Sequence, residues 1–137
     1  MIGTVRFASP NSHHGYELSR RDDLIALGYL VFFLYNGSLP WQNDVDPQSE
    51  RCAIVAKKKY DFKNSLQSKM SPKEFSAYME YCLSLEFKAT PDYKWLLKQV
   101  ENVAKRERID LHDGCFDWNL LKASQYLYTD PIQKQSR

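Results

Sequence analysis

The feature that most constrains this chain is its longest apolar stretch, residues 24–35. A membrane span needs about 20 apolar residues, so this stretch is too short for one. A helix that is apolar on every side suits the centre of a packed protein. Ser19 to Asp22 has the form of a helix-capping box, and Asn36-Gly37 can end a helix because glycine adopts the left-handed C-terminal conformation. The sequence therefore predicts a central helix from about Asp22 to Tyr35.

The rest of the chain also favours helices. One is expected from about Ser49 to Lys58, with apolar contacts from Cys52, Ala53 and Val55. The run Ser71-Pro72-Lys73-Glu74 predicts another, because it combines a capping serine with a proline at the first helical position. The apolar residues that recur there at helical spacing are Phe75, Tyr78, Met79, Cys82 and Leu83.

A last long helix is predicted to open at residues 90–92. Its expected inner stripe consists of Tyr93, Leu96, Leu97, Val100 and Val103. The segment 114–121 is expected to pack on the helices, and the polar tail from Thr129 is expected to fray. Strand-like alternation is not visible anywhere in the sequence, so the predicted class is all-α.

Charge and size exclude several classes of protein. The chain has 137 residues and a formal net charge of +2, which is the size of one domain and too balanced to indicate a nucleic-acid partner. Positive charge is concentrated in one stretch, where only Asp61 opposes it. Its lysines are Lys57, Lys58, Lys59, Lys63, Lys69 and Lys73. We interpret this stretch as a solvated face.

A self-contained active site is not visible in the sequence. The three cysteines are far apart and form no C-x-x-C pair, and the adjacent His13 and His14 cannot readily point at one metal ion. Gly-rich phosphate loops and hydrolase motifs are also missing. Asp22 and Asp23 diverge by about 100° on a helix, so they do not pair. No metal or cofactor is therefore expected for this chain. Because no signal peptide is visible, we expect an intracellular protein.

Several short sequence motifs nevertheless occur in a characteristic order along the chain. They are residues 3–9 (GTVRFAS), 19–24 (SRRDDL), Gly28 and 37–42 (GSLPWQ), followed by 91–93 (PDY) and 116–118 (FDW). In content and spacing these blocks closely resemble the casein kinase 1 family of protein serine/threonine kinases. The resemblance covers about residues 2–121.

The resemblance implies a fold. The chain would be part of the helical C-terminal lobe of a protein kinase, without the N-terminal lobe and the catalytic loop. Residues 1–128 would form this partial lobe, with the end of the activation segment and substrate loop at 1–18, the helical core at 19–121 and a polar tail at 129–137. Residues 9–11 (SPN) would occupy the place of the family's S-I-N variant of the A-P-E motif.

The resemblance also implies residue roles. Thr4 resembles the threonine that aligns the catalytic Asp and Lys. Asp23 precedes Gly28 by five residues and resembles the helix-start aspartate that accepts backbone amides of the catalytic loop, a role that suits a carboxylate at a helix N-terminus. Arg6, and with a one-residue gap Arg51, resemble basic residues that bind a phosphate or acidic group of the substrate.

Two hypotheses follow. In the first, the chain is the substrate-side fragment of a casein kinase 1-like enzyme that transfers the γ-phosphoryl group of ATP to Ser or Thr of acidic or phosphorylated proteins. Phosphoryl transfer needs a Gly-rich loop, a strand Lys, an H-R-D-type loop and a D-F-G Asp. The chain has none of these, so alone it is not expected to catalyse. ATP and Mg²⁺ would be cofactors only with an upstream kinase portion.

In the second hypothesis, the chain is a kinase-derived, non-catalytic scaffold of a larger assembly. Either way, the missing elements would leave apolar area open on the central helix, and a protein partner is expected on the open side of Leu24–Tyr35. The residues expected to contribute that open area are Leu24, Leu27, Leu30, Val31 and Leu34. We expect the cytoplasm, the nucleus or a large assembly such as the cytoskeleton as the location, and neither a membrane nor a nucleic acid as the partner.

Overall fold

The computed structural model describes residues 4–44, 51–63, 72–114 and 119. In these ranges all regular structure is helical, in agreement with the predicted all-α class. The helices are α1 (Pro10–His13), α2 (Arg20–Asn36), α3 (Arg51–Lys63), α4 (Lys73–Ser84) and α5 (Tyr93–Glu107), with a short 3-10 helix at Gln42–Asp44. The chain forms two compact units, Met1–Val103 and Ala104–Arg137.

Helix α2 is the predicted central helix, and it is slightly longer than the apolar stretch. It begins two residues earlier than expected, because the Asp22 carboxylate accepts the backbone amide of Ser19 at 2.9 Å and so caps the start. It ends as predicted at Gly37, which has a φ of 75° and donates its amide to the carbonyl of Phe33 at 2.8 Å. Its buried apolar residues are Ile25, Tyr29 and Phe32.

Helix α4 packs closely on α2 at Gly28. A β-carbon at this position would collide with the Met79 Sδ and lie 3.0 Å from the Tyr78 ring, so the absence of a side chain lets the two helices approach. The Tyr78 hydroxyl donates to the carbonyl of Leu24 at 3.1 Å. The predicted inner residues of α4 are confirmed, since Phe75, Tyr78, Met79 and Cys82 are buried and Leu83 packs against the core.

An aromatic cluster joins α2 to α3 and to the turn between them. The Trp41 ring lies 5.0 Å from Tyr29 and 5.4 Å from Phe62, measured between centroids, and both pairs meet edge to face. Phe32 contacts Phe62 in the same way at 5.4 Å. Edge-to-face pairs contribute about 0.5–1.5 kcal/mol each beyond the area they bury, so this cluster fixes the turn on the two helices.

Helix α3 differs from its prediction. It runs to Lys63, not Lys58, and its inner face carries Val55, Lys59 and Phe62 at helical spacing. Ala53, expected to be an apolar contact, is exposed. The lysine-rich stretch is therefore not a uniformly solvated face, because the Lys59 side chain is fully buried.

The starts and faces of the last two helices also need correction. Pro72 is the N-cap residue of α4, one position before the first helical residue, whereas the sequence predicted it at that first helical position. In α5, Leu96 and Val103 are buried as predicted, but Tyr93 and Leu97 are exposed. Trp95, which the predicted stripe omitted, packs against the core and against Tyr81 at 4.9 Å between centroids. The predicted segment 114–121 and the tail from Thr129 lie almost wholly outside the described residues.

Arginines at the start of α2 reach the connection between α4 and α5. Arg21 donates to the carbonyl of Leu85 at 2.9 Å, and its guanidinium lies over the Phe87 ring.

In the second unit, the amide of Ile109 donates to the carbonyl of Ala104 at 2.8 Å, while Arg108 has a φ of 56°. These contacts end α5 within that unit.

Candidate functional site

One buried carboxylate ties the chain before α1 to the start of α2. Asp22 is 4% exposed. Its Oδ1 accepts from the Ser9 hydroxyl at 2.6 Å and from the Asn11 amide at 2.9 Å, and its Oδ2 accepts from the amide of Ser19. Ser9 also accepts the amide of Ser12 at 3.2 Å and thereby caps α1. The short helix α1, in a segment expected to be a loop, is held by these contacts.

The Asp22 carboxyl is a hydrogen-bond acceptor at neutral pH. Burial by itself would raise its pKa, but the bonds from Ser9, the Ser19 amide and Asn11 together hold that pKa below the ordinary value of 3.8. The Arg21 guanidinium, 3.7 Å away, acts in the same direction. An ionised group with three donors already bound is suited to positioning and not to general acid catalysis.

A buried lysine holds the other side of this region. The Lys59 Nζ donates to the carbonyl of Val5 at 2.8 Å and to the carbonyl of Ala8 at 2.6 Å, and it lies 3.1 Å from the His13 Nε2. The same ammonium lies over the rings of Tyr29 and Trp41, at 5.2 and 5.3 Å from their centroids. Carbonyl dipoles and aromatic faces both stabilise a buried cation.

The contact with Lys59 fixes the state of His13. Because an ammonium only donates, the His13 Nε2 accepts and the ring is neutral. Burial, then the nearby positive charge of Lys59, lower the pKa of His13 to about 4. His14, the next residue, is exposed and lies beside the Tyr16 ring at 5.7 Å. The two histidines therefore have separate surroundings.

The segment that Lys59 binds, residues 4–9, is a tight turn that we call the 4–9 loop. The carbonyl of Thr4 accepts the amides of Phe7 and Ala8 at 3.0 and 2.9 Å. The Trp41 indole donates to the carbonyl of Arg6 at 2.8 Å. The loop is thus bound from inside by its own amides and from outside by Lys59 and Trp41.

Arg6 carries an unused donor in this loop. Its guanidinium carbon lies 5.8 Å from the centre of the Phe33 ring, and its Nε is buried without a hydrogen-bond partner among the described residues. This Nε is not accessible to a ligand, and a guanidinium that binds an oxyanion would use the four N–H donors of its two Nη atoms. Arg51 begins α3, but its side chain lies outside the described part, so the predicted pairing with Arg6 stays a prediction.

The remaining predicted site residues are Thr4 and Asp23, and both are exposed. Asp23 lies on α2 with three exposed leucines, and together Asp23, Leu27, Leu30 and Leu34 form what we call the outer stripe. At 100° per residue these positions fall within about 60° of one another, on one face of the helix. Leu27, Leu30 and Leu34 are 47%, 37% and 71% exposed, whereas Leu24 and Val31, also expected to be open, are partly buried.

Sequence reasoning missed the positioning groups Lys59 and Trp41 and the binding of Asn11 to Asp22. The burial of Lys59 had a signal in the sequence. Val55, Lys59 and Phe62 are spaced by four and three residues, so a buried Val55 places Lys59 on the inner face of the helix. No comparable signal points to Trp41, whose donor reaches a carbonyl 35 residues away.

Other features of the described residues are less informative. An open groove of about 1120 Å³ lies between α1 and α3, beside His13, Ile54 and Tyr60. No group of three or more His, Cys, Asp or Glu side chains in the described ranges could hold a metal ion. Every helix in those ranges is too short or too polar to cross a bilayer.

No model of a known protein family matches the chain.

Proposed function

We propose that this chain is the substrate-side portion of the helical lobe of a casein kinase 1-like protein serine/threonine kinase. Such a kinase transfers the γ-phosphoryl group of ATP to Ser or Thr of a protein. The observation that carries the proposal is the outer stripe, in which an exposed carboxylate heads a row of exposed leucines on a helix whose opposite face is buried.

The residues of the outer stripe determine which kind of protein surface can cover it. Three leucines at successive helical turns need an apolar surface about two turns long. Asp23, in the first turn of α2, is an acceptor for hydrogen-bond donors at one end of that surface. A kinase catalytic loop, which offers backbone amides, together with the helix before it meets both requirements. This is the role that the resemblance assigns to Asp23.

The substrate side supports the same proposal. The 4–9 loop is held by Lys59 and Trp41, and the Asp22 network fixes the segment that follows it. Arg6 lies in this loop with its side chain partly exposed. An ordered loop that presents a guanidinium suits a substrate with acidic or phosphorylated residues. In this proposal ATP and Mg²⁺ are bound by the remainder of the kinase.

The outer stripe also favours a second function, a non-catalytic scaffold. An apolar helix of another protein could cover the leucines, and a donor at its end could bind Asp23. The two functions differ in what the native protein contains. The kinase proposal requires nucleotide-binding and catalytic segments in the native protein, and the scaffold requires only a bound partner.

The first test is the intact mass of the endogenous protein with peptide mapping of the purified material. A mass of about 40 kDa or more, with upstream H-R-D-like and D-F-G-like peptides, is expected for a kinase. A mass near 16.1 kDa would refute the kinase function and leave the scaffold, whose partner would then be sought by crosslinking from the outer stripe.

The second test measures phosphoryl transfer from ATP to an acidic protein by the endogenous protein and two variants. Asp23→Asn is expected to lower kcat by about 100-fold, because it replaces an ionised acceptor in the catalytic-loop contact. Glu86→Gln is the matched control, since Glu86 is an exposed carboxylate between α4 and α5, and it should retain wild-type activity. Equal activities of the two variants would contradict the role of Asp23.

A further inference from the structure

Among the described residues, Lys59 is the cation whose side chain is buried. It lies in the middle of α3 with its side chain fully buried, although it stands in a run of three lysines. Burial of a charge is costly unless the charge is hydrogen-bonded. Its ammonium is bound to two carbonyls and to an imidazole nitrogen, at distances between 2.6 and 3.1 Å. The Lys59 side chain therefore connects helix α3 to the 4–9 loop.

The bound carbonyls belong to residues on either side of Arg6. Lys59 binds the carbonyls of Val5 and Ala8, and Trp41 binds the carbonyl of Arg6. Three carbonyls of a six-residue loop thus accept donors from α3 and from the turn after α2. This arrangement leaves the backbone of the loop little freedom to rotate, so the direction of the Arg6 side chain is set by groups outside the loop.

We propose that Lys59 is a positioning residue that holds the 4–9 loop in the conformation that presents Arg6 to a protein substrate. This inference rests on the proposed function, which it deepens by naming the group that orders the substrate-binding loop. Lys59 does not touch the substrate. It acts on the loop backbone, and Tyr29 and Trp41 keep its ammonium in place from the other side.

Lysine suits this position for a chemical reason. Its ammonium has three N–H donors on a flexible stem that can be directed at separate acceptors, whereas a guanidinium presents its donors in a planar fork. Methionine has a similar length but no donor. A Lys59→Met variant therefore leaves the carbonyls of Val5 and Ala8 without this partner and preserves most of the packing volume. Lys57→Met, in the same helix and exposed, is the matched control.

The first experiment uses amide hydrogen exchange on the full chain. In Lys59→Met, the amides of Phe7 and Ala8 are expected to exchange about tenfold faster, because the turn they close has lost an outside bond. Amides of α4 and the whole Lys57→Met chain should exchange as in the wild type. Unchanged loop exchange, or equal acceleration throughout the chain, would overturn the inference.

A measurement without mutation covers the case in which Lys59→Met does not fold. Reductive methylation of the wild-type chain, followed by peptide mapping, should modify Lys57 readily and Lys59 at least about tenfold more slowly, since only accessible ammonium groups react. Equal rates for the two lysines would show that Lys59 is not held in the loop contact, and the inference would fail.

The functional readout separates this inference from the proposed function. In the kinase that contains this lobe, Lys59→Met should raise the KM for the acidic protein substrate about fivefold while the KM for ATP and kcat stay within about twofold. A loss confined to kcat would refute positioning of the substrate. A wild-type protein without phosphoryl transfer would refute the proposed function, and the exchange experiment would then decide whether Lys59 orders the loop.

Discussion

Replacement of Asp22 by asparagine tests the account of the buried network directly. Three donors converge on this carboxylate, from Ser9, Asn11 and Ser19. An amide offers one acceptor oxygen, so at least one of the three donors faces an N–H₂ group and loses its bond. An unpaired buried donor costs about 1–3 kcal/mol, and the remaining bonds weaken because they no longer reach a charge. We expect Asp22→Asn to lower the free energy of unfolding by about 2–4 kcal/mol.

The same network predicts a dependence on pH. The folded pKa of Asp22 lies below its unfolded value of 3.8, so the folded state favours the ionised form. The stabilisation is therefore complete well above pH 3.8 and is lost as the pH falls through the lower, folded pKa. In Asp22→Asn this contribution is missing at every pH. The difference in stability between the wild type and the variant should shrink as the pH drops below 3.8.

The assay is urea unfolding followed by tryptophan fluorescence, since Trp41 is fully buried and reports on the core. Asp23→Asn is the matched control, because Asp23 is the next residue on the same helix and is exposed. Loss of its charge at the helix N-terminus should cost less than about 1 kcal/mol. If both variants lost the same stability, or if the difference between Asp22→Asn and wild type were constant from pH 7 to below 3.8, the reasoning would be wrong.

The remaining predictions concern Gly28, His13 and Leu34. Gly28→Ala should destabilise the fold by up to about 2 kcal/mol in urea unfolding. Overpacking against Met79 costs about 1–3 kcal/mol, whereas the gain in helix propensity is about 1 kcal/mol. A stabilised variant would contradict this. The His13 ring should titrate near pH 4 by NMR. The free energy of unfolding should decline as the pH falls from 6.5 toward 4, since the folded state favours the neutral ring. A pKa near 6.5 would contradict the contact between His13 and Lys59. The exposed leucines of the outer stripe should make the isolated chain self-associate in sedimentation runs. Leu34→Glu should reduce that association and change the free energy of unfolding by less than about 0.5 kcal/mol, because Leu34 is exposed; unchanged association would exclude the outer stripe as its cause.

Local signals in the sequence were sufficient for the helices that bury a regular apolar pattern. The capping carboxylate and Gly37 placed the two ends of α2 within two residues, and the spacing from Phe75 to Cys82 identified the inner face of α4. In α5 the same reasoning was wrong for Tyr93 and Leu97, because an apolar residue at helical spacing is buried only where another element lies opposite it. Which element lies opposite is a matter of tertiary structure, and the spacing of apolar residues along the helix does not contain it.

The site was less predictable because its parts are far apart in the sequence. The pair Asp22–Asp23 illustrates this. The sequence showed that the two carboxylates diverge, but which of them is bound by Ser9 and Asn11 depends on where the chain before α2 returns. Lys59 was assigned to a solvated face from the composition of its neighbours, whereas its register with Val55 and Phe62 determines its burial. Register within a helix is therefore the more reliable indicator for a lysine in a basic run.

The two faces of α2 make separate sets of contacts, and the proposed function depends on that separation. On the inner face, Tyr29 and Phe32 pack with Trp41 and α3, and α3 in turn supplies Lys59 to the 4–9 loop. None of these contacts uses the outer stripe. The order of the 4–9 loop is therefore independent of whatever covers Leu27, Leu30 and Leu34. A covering segment that binds Asp23 would add catalytic groups to a loop that is already in place, which is the division of labour that the proposed function requires.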